Sequence, residues 1–178
     1  MDQPLSNGDI SRAFDGKCRV ISYPELSKFS SVEQLLKPHG KCIILYLSTA
    51  RSGHWVLLFK YPGKNTVELF DPYGQMPDLG PMKPDAELDF VTPSKRLKLG
   101  MGRPYLSNLL EDYARKKGHR VEYNNYPFQQ WDEGVQTCGR WCITRGFLDD
   151  MTLKQFAKFM LKHPNPDAFV TEFTDCIL

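Results

Sequence analysis

The chain lacks any long hydrophobic run, and it is poor in cysteine. Its longest obvious apolar run, CIILYL at 42–47, falls far short of the about 20 residues that a membrane-spanning helix needs. No membrane association is therefore expected. Five cysteines in 178 residues are too few for a disulfide framework, and the odd number leaves at least one thiol unpaired, so a reducing compartment is the simpler expectation. No C-x-x-C pair occurs, which argues against a zinc knuckle even though Cys138 and Cys142 share one helix face. No metal or cofactor is expected. The opening residues MDQPLSNGD carry neither a basic region nor an apolar core, so no secretory signal is expected and the protein reads as soluble and intracellular. Lys+Arg 23 against Asp+Glu 21 gives a net charge of +2, too balanced to demand a nucleic-acid partner. The basic stretches SKRLKLGMGR (94–103) and ARKKGHR (114–120) read as a solvated loop and a solvated helix end. Repeats and low-complexity segments are also absent.

What the chain does have is 41% hydrophobic content, enough for one domain over 1–178 with a sizeable core. LSNGDI fits a Ser6 N-cap with Asp9 three residues on, and SSVEQLL predicts a second short helix stopped by Pro38 and Gly40. CIILYLS predicts a strand covered on both faces. WVLLFKY and TVELFD, joined by PGKN, predict a hairpin. Residues 72–104 read as a long loop with a short strand at LDFVT, 105–118 as a helix and 119–123 as a strand. Two helices follow from Cys138, and DAFVTEF predicts one last helical turn. The expected fold is α+β, a single domain with a central mixed sheet flanked by helices.

Three reactive residue types stand at the ends of apolar segments. Cys138 opens CGRWCITRGFL, where the unpaired N–H groups and positive dipole end of a helix favour thiolate. Thr137 before it is a candidate cap, and Gly139 after it permits close approach. Cys142, one turn on, reads as a buried small hydrophobe. His54 follows Ser52 and Gly53 and precedes an apolar strand, whereas His39, His119 and His163 read as solvated loop residues. Asp71 begins DPYG, which has the pattern of a type I turn. The hairpin nevertheless brings it to the same end as His54, where a carboxylate would accept the imidazole N–H and fix the tautomer. Thiol, imidazole and carboxylate are a nucleophile, its base and the group that orients the base. The tryptophans Trp55, Trp131 and Trp141 read mainly as core, with Trp55 also placed to wall a cleft.

Together these residues resemble the cysteine proteases of the adenovirus-protease and SUMO-protease superfamily. The resemblance covers roughly residues 42–160. It rests on the order His, Asp, Cys, on GHWVLLF, on VELFDPYG, and on the glutamine-containing loop of PFQQWDEGVQTCGRWC. Papain-like enzymes run Cys, His, Asn, so the resemblance implies a papain-like superfold with permuted order. It further implies that a glutamine before the nucleophile helps hold the oxyanion, with Gln130 as the match and Gln129 as the alternative. Thr137 stands where SUMO proteases often have Asp, and TCGRWC together with the chain's compact size is most similar to capsid-maturation proteases of virophages, polinton-like elements and large DNA viruses.

That branch implies a monomeric thiol endopeptidase acting on capsid precursor polypeptides at small-residue sites, in host cytoplasm or viral factory and packaged in the virion. Nucleic acid as a partner is left open. The same site would also serve an isopeptidase for a ubiquitin-like modifier. A further alternative is a capsid or nucleic-acid interaction module that keeps the fold without the chemistry.

Overall fold

The structure, a computed structural model, describes residues 4–78, 93–130 and 135–178. Its elements in chain order are α1 (Asn7–Ala13), β1 (Arg19–Ser22), a 3-10 turn (Tyr23–Lys28), α2 (Val32–Leu36), β2 (Lys41–Leu47), β3 (Gly53–Lys60) and β4 (Thr66–Phe70). There follow α3 (Pro93–Lys98), α4 (Tyr105–Ala114), β5 (Arg120–Tyr123), α5 (Cys138–Phe147), α6 (Leu153–Met160) and α7 (Pro166–Asp175). The expected strand at LDFVT lies outside the described residues.

The five strands form one mixed sheet in the order β1-β2-β3-β4-β5. β2, β3 and β4 are antiparallel neighbours, while β1 and β5 add to the two edges in parallel. Parallel neighbours need a crossover. The 3-10 turn with α2 supplies one, and the segment containing α3 and α4 supplies the other.

Side chains alternate along each strand and so divide the core into two layers. Cys42, Ile44, Tyr46, Val56, Leu58, Val67 and Leu69 pack against the 3-10 turn, α2 and α4. Ile43, Leu45, Trp55, Leu57, Phe59 and Phe70 pack against α1, α5, α6 and Val170 of α7. The fold is α+β, helices covering both faces of a central sheet, as the segment pattern predicts.

Local signals explain most boundaries. Ser6 caps α1 by accepting the Asp9 N–H at 3.2 Å, and the Asp9 carboxylate accepts the Ser6 N–H at 2.9 Å. Ser31 caps α2 by accepting the Gln34 N–H at 3.1 Å. DAFVTEF departs from expectation, because it belongs to a ten-residue helix rather than a single turn. Asn165 caps this helix and Pro166 sits at its first position. β1 and the 3-10 turn, which carry weak periodicity, are elements that the sequence alone does not announce, and α3 corrects the reading of 72–104 and of SKRLKLGMGR as loop, since Pro93–Lys98 are helical.

Candidate active site

β3 and β4 place His54 and Asp71. Leu57 faces Phe70 in the antiparallel register, so one step further Val56 would face Asp71, with His54 two residues along on the same side. The imidazole Nε2 lies 2.7 Å from Asp71 Oδ1, and the two side chains are only 3% and 4% exposed. The DPYG turn forms as well, its Gly74 N–H donating to the Asp71 carbonyl at 2.8 Å. Asp71 therefore serves turn and imidazole together, its Oδ1 also accepting the Tyr73 N–H at 2.8 Å.

Burial pushes the His54 pKa down, but the charge of Asp71 and its hydrogen bond, aided by Cys138, outweigh it. The result is a rise from 6.5 to about 10. With Nε2 committed to Asp71, the other ring nitrogen, Nδ1, is buried without a bond of full hydrogen-bond geometry. It is the nitrogen left for the Cys138 thiol, whose interaction with the ring contributes to the raised pKa.

Cys138 is the first residue of α5 and is partly exposed. Gly139 lets this helix start approach β3: a Cβ there would lie 3.2 Å from Trp55 Cδ1 and 3.3 Å from Leu5 Cβ. The glycine thus serves close packing of helix on strand. Trp55 is 4% exposed in the core, its indole N–H donating to the Leu5 carbonyl at 3.2 Å.

Thr137 departs from its expected role. It stands at the N-cap position without extended backbone (φ −97, ψ 4), and its side chain caps no helix N–H. Its hydroxyl donates to Asp167 Oδ1 at 2.7 Å, a charge-assisted bond that helps to satisfy the buried carboxylate.

The glutamine segment reaches the site through the DPYG turn. Phe128 and Gln129 both donate their backbone N–H to the Pro72 carbonyl, at 2.8 and 2.9 Å. Gly74 makes the fit possible, since its φ is +69 and a Cβ would stand 2.4 Å from the Tyr126 backbone. The two glutamines then part. Gln130 is exposed, and its backbone N–H donates to Asp167 at 3.2 Å. Gln129 is 1% exposed, with Nε2 donating to the Val135 carbonyl and to the Tyr73 hydroxyl, both at 3.1 Å. Tyr73 in turn stacks on His54, centroids 4.6 Å apart. Of the two, Gln129 is the one linked to the imidazole.

Two supporting residues carry no sequence signal for this role. Asn124, 1% exposed, accepts the Asp71 N–H at 3.0 Å and donates to the Asp71 carbonyl at 2.6 Å, pinning the backbone of the turn. Asp167 holds Thr137, Trp141 and Gln130.

No protein-family model matches the chain. The chain is similar to the uncharacterized protein V9 of Sputnik virophage, 33% identical over 175 residues that span 96% of this chain and 93% of the relative. The chain belongs to the family of that virophage protein. It is a viral protein by this kinship, and the geometry above is that of a V9-family chain.

The other candidate residues of this V9-family chain stand apart from the site. His39 is exposed, as read from sequence. His119 and His163 depart from the solvated reading, since each is half-buried against an aromatic ring, Tyr113 and Phe169 respectively. Cys142 is fully buried with its thiol on the Trp55 carbonyl at 3.4 Å, and burial pushes its pKa well up. Burial likewise pushes the Cys18 thiol up to about 12 and raises Cys42. Cys176 is exposed at the end of α7. Trp141 is core, and Trp131 lies outside the described residues. In the 114–120 stretch Arg115 pairs with Glu111 and Asp112, Lys116 with Glu33 and Arg120 with Glu122, so much of its charge is locally offset.

Proposed function

We propose that the protein is a cysteine endopeptidase using Cys138, His54 and Asp71, and that its substrates are virion precursor polypeptides, capsid proteins above all. The observation that carries the reading is the buried His54–Asp71 pair at 2.7 Å, with its second ring nitrogen unbonded beside a thiol at a helix start. A histidine held protonated to about pH 10 next to a thiol is the acid of an imidazolium–thiolate pair.

In the proposed reaction the Cys138 sulfur attacks the scissile carbonyl, forming a C–S bond and placing negative charge on the carbonyl oxygen. The backbone N–H at Cys138 and the Gln129 amide receive that charge. One Gln129 N–H is held by the Val135 carbonyl, and the other, resting on Tyr73, is the one that turns to the oxyanion. Burial beside Tyr73 supports Gln129 over the exposed Gln130 in this role. As the C–N bond breaks, His54 gives its proton to the leaving amine. The neutral imidazole then takes a proton from water, hydroxide attacks the thioester, and the carboxylate product leaves as the thiolate re-forms. Asp71 holds the ring in the tautomer that presents Nδ1 to sulfur.

Kinship to a virophage protein supports a viral substrate, with action in the host cytoplasm or viral factory and packaging into the particle. The test is cleavage of purified capsid precursors from the same virus by the full chain. Cys138→Ala is expected to abolish cleavage while leaving the folded state intact by circular dichroism and thermal melting. Full activity in Cys138→Ala would end the assignment. Ubiquitin-like adducts cleaved in place of virion precursors would redirect it to isopeptidase chemistry.

A further inference from the structure

We propose that Asp167 is a positioning residue for this reaction, one buried carboxylate that locks the glutamine segment to the start of the nucleophile helix; the inference rests on the peptidase reading above. Asp167 sits in the first turn of α7 and is 7% exposed. Its two oxygens divide their duties. Oδ1 accepts the Thr137 hydroxyl at 2.7 Å and the Trp141 indole N–H at 2.8 Å, gripping α5 on both sides of Cys138. Oδ2 accepts the Gln130 N–H at 3.2 Å, which belongs to the peptide group joining Gln129 to Gln130.

Gln129 is consequently held from two directions. From one side the Pro72 carbonyl takes the N–H groups of Phe128 and Gln129, tying them to the turn that carries Asp71. From the other, Asp167 ties the next peptide to the helix that carries Cys138. An oxyanion donor works only if its distance from the nucleophile is fixed before the charge develops, and misplacement by about 1 Å costs on the order of 100-fold in rate. Asp167 fixes that distance without touching substrate. A carboxylate present only to stabilise the first turn of α7 through the helix dipole would have no need of partners on two other segments.

Asp167→Asn separates the two duties. Its amide oxygen keeps Thr137 and Trp141, while its NH2 group meets the Gln130 N–H donor to donor, so the bond to the glutamine segment alone is lost. Two probes of Cys138 are compared on the full chain in a Cys176→Ser background, which removes the exposed thiol. Iodoacetamide alkylation reads the thiolate and needs no oxyanion donor. A peptide ending in glycinal reads the donor as well, because its hemithioacetal oxygen occupies the oxyanion position.

The expected result is a loss of glycinal affinity of about 10- to 100-fold, with the rate and pH profile of alkylation unchanged. Thr137→Val, which leaves Gln130 held, is expected to lose less. Should Asp167→Asn not fold, Asp167→Glu, which keeps the charge but displaces the carboxylate, is read by the same two probes with the same expected split. Unchanged glycinal affinity overturns the inference and leaves the peptidase reading standing. A parallel fall in both probes also overturns it, because the helix itself would then be disturbed. A wild-type chain that alkylates at Cys138 but binds no glycinal and cleaves no peptide sinks the peptidase reading, and the inference with it.

Discussion

β4 carries one buried carboxylate, Glu68, and a second, Asp71, directly follows the strand, and their surroundings differ in a way that separates structure from chemistry. Glu68 is closed. Arg145 donates to its two oxygens at 2.9 and 2.7 Å, the Tyr61 hydroxyl adds a third bond, and both members of the ion pair are 0% exposed. Arg145 also donates to the Tyr61 hydroxyl at 3.2 Å and to the carbonyls of Leu148 at 2.5 Å and Met151 at 2.9 Å, with its guanidinium over the rings of Phe59 and Phe156. Every guanidinium nitrogen and both carboxylate oxygens in that cluster have a protein partner. The Asp71 pair is open: its histidine is nearly as deeply buried, yet Nδ1 has no partner of full hydrogen-bond geometry and lies by a partly exposed thiol. Buried polar groups are normally satisfied, so the informative feature is the unfilled hydrogen-bonding position at Nδ1 rather than the buried charge.

The contrast breaks first on activity. Asp71→Ala is expected to lower precursor cleavage by about 100- to 10,000-fold, because the ring loses both the charge that keeps it protonated and the bond that orients it; steady-state kinetics check this. Arg145→Met is expected to do the reverse. It should cost about 3–5 kcal/mol in urea unfolding, since it strands the Glu68 charge in the core, while the alkylation rate of Cys138 in the folded fraction stays near wild type. Loss of activity without loss of stability in Arg145→Met would erase the distinction between the two carboxylates.

A smaller effect lies in pH. The folded-state pKa of His54 is raised from 6.5 to about 10, so folded chains retain a proton that unfolded chains lose across that interval. The contribution of the pair to stability is fully present below pH 6.5 and disappears as pH rises through about 10. Urea midpoints measured from pH 6 upward should decline over this window in the wild type, and Asp71→Asn should flatten the decline. The smallest effect belongs to Cys142→Ala, expected to cost about 1–2 kcal/mol through lost core contact and to leave iodoacetamide labelling of Cys138 unaltered.

Much of this was legible in the sequence. The capping serines, the hairpin and the helix beginning at Cys138 are local features, set by side-chain hydrogen bonding and by periodicities of 2 and 3.6. His54 and Asp71 were readable as neighbours because a hairpin fixes which residues share an end. The glutamine was not, since Gln129 and Gln130 are adjacent and identical in type, and the Pro72 carbonyl and Asp167 decide which of them turns inward. Asn124 and Asp167 were likewise silent. The first looks like loop composition and the second like an ordinary acidic residue in a helix's first turn.

The sequence by itself determined most of the sheet-and-helix elements, the α+β class and the three candidate residues, because each follows from short-range pattern and from the chemistry a side chain carries wherever it lies. Only the tertiary structure decided which buried carboxylate is sealed by an arginine and which faces a histidine with a free nitrogen. It also decided which glutamine is buried, and that a carboxylate from the last helix ties the glutamine segment to the start of α5. Those outcomes depend on contacts between residues distant in the chain, where burial and competing donors, rather than local propensity, set the partners.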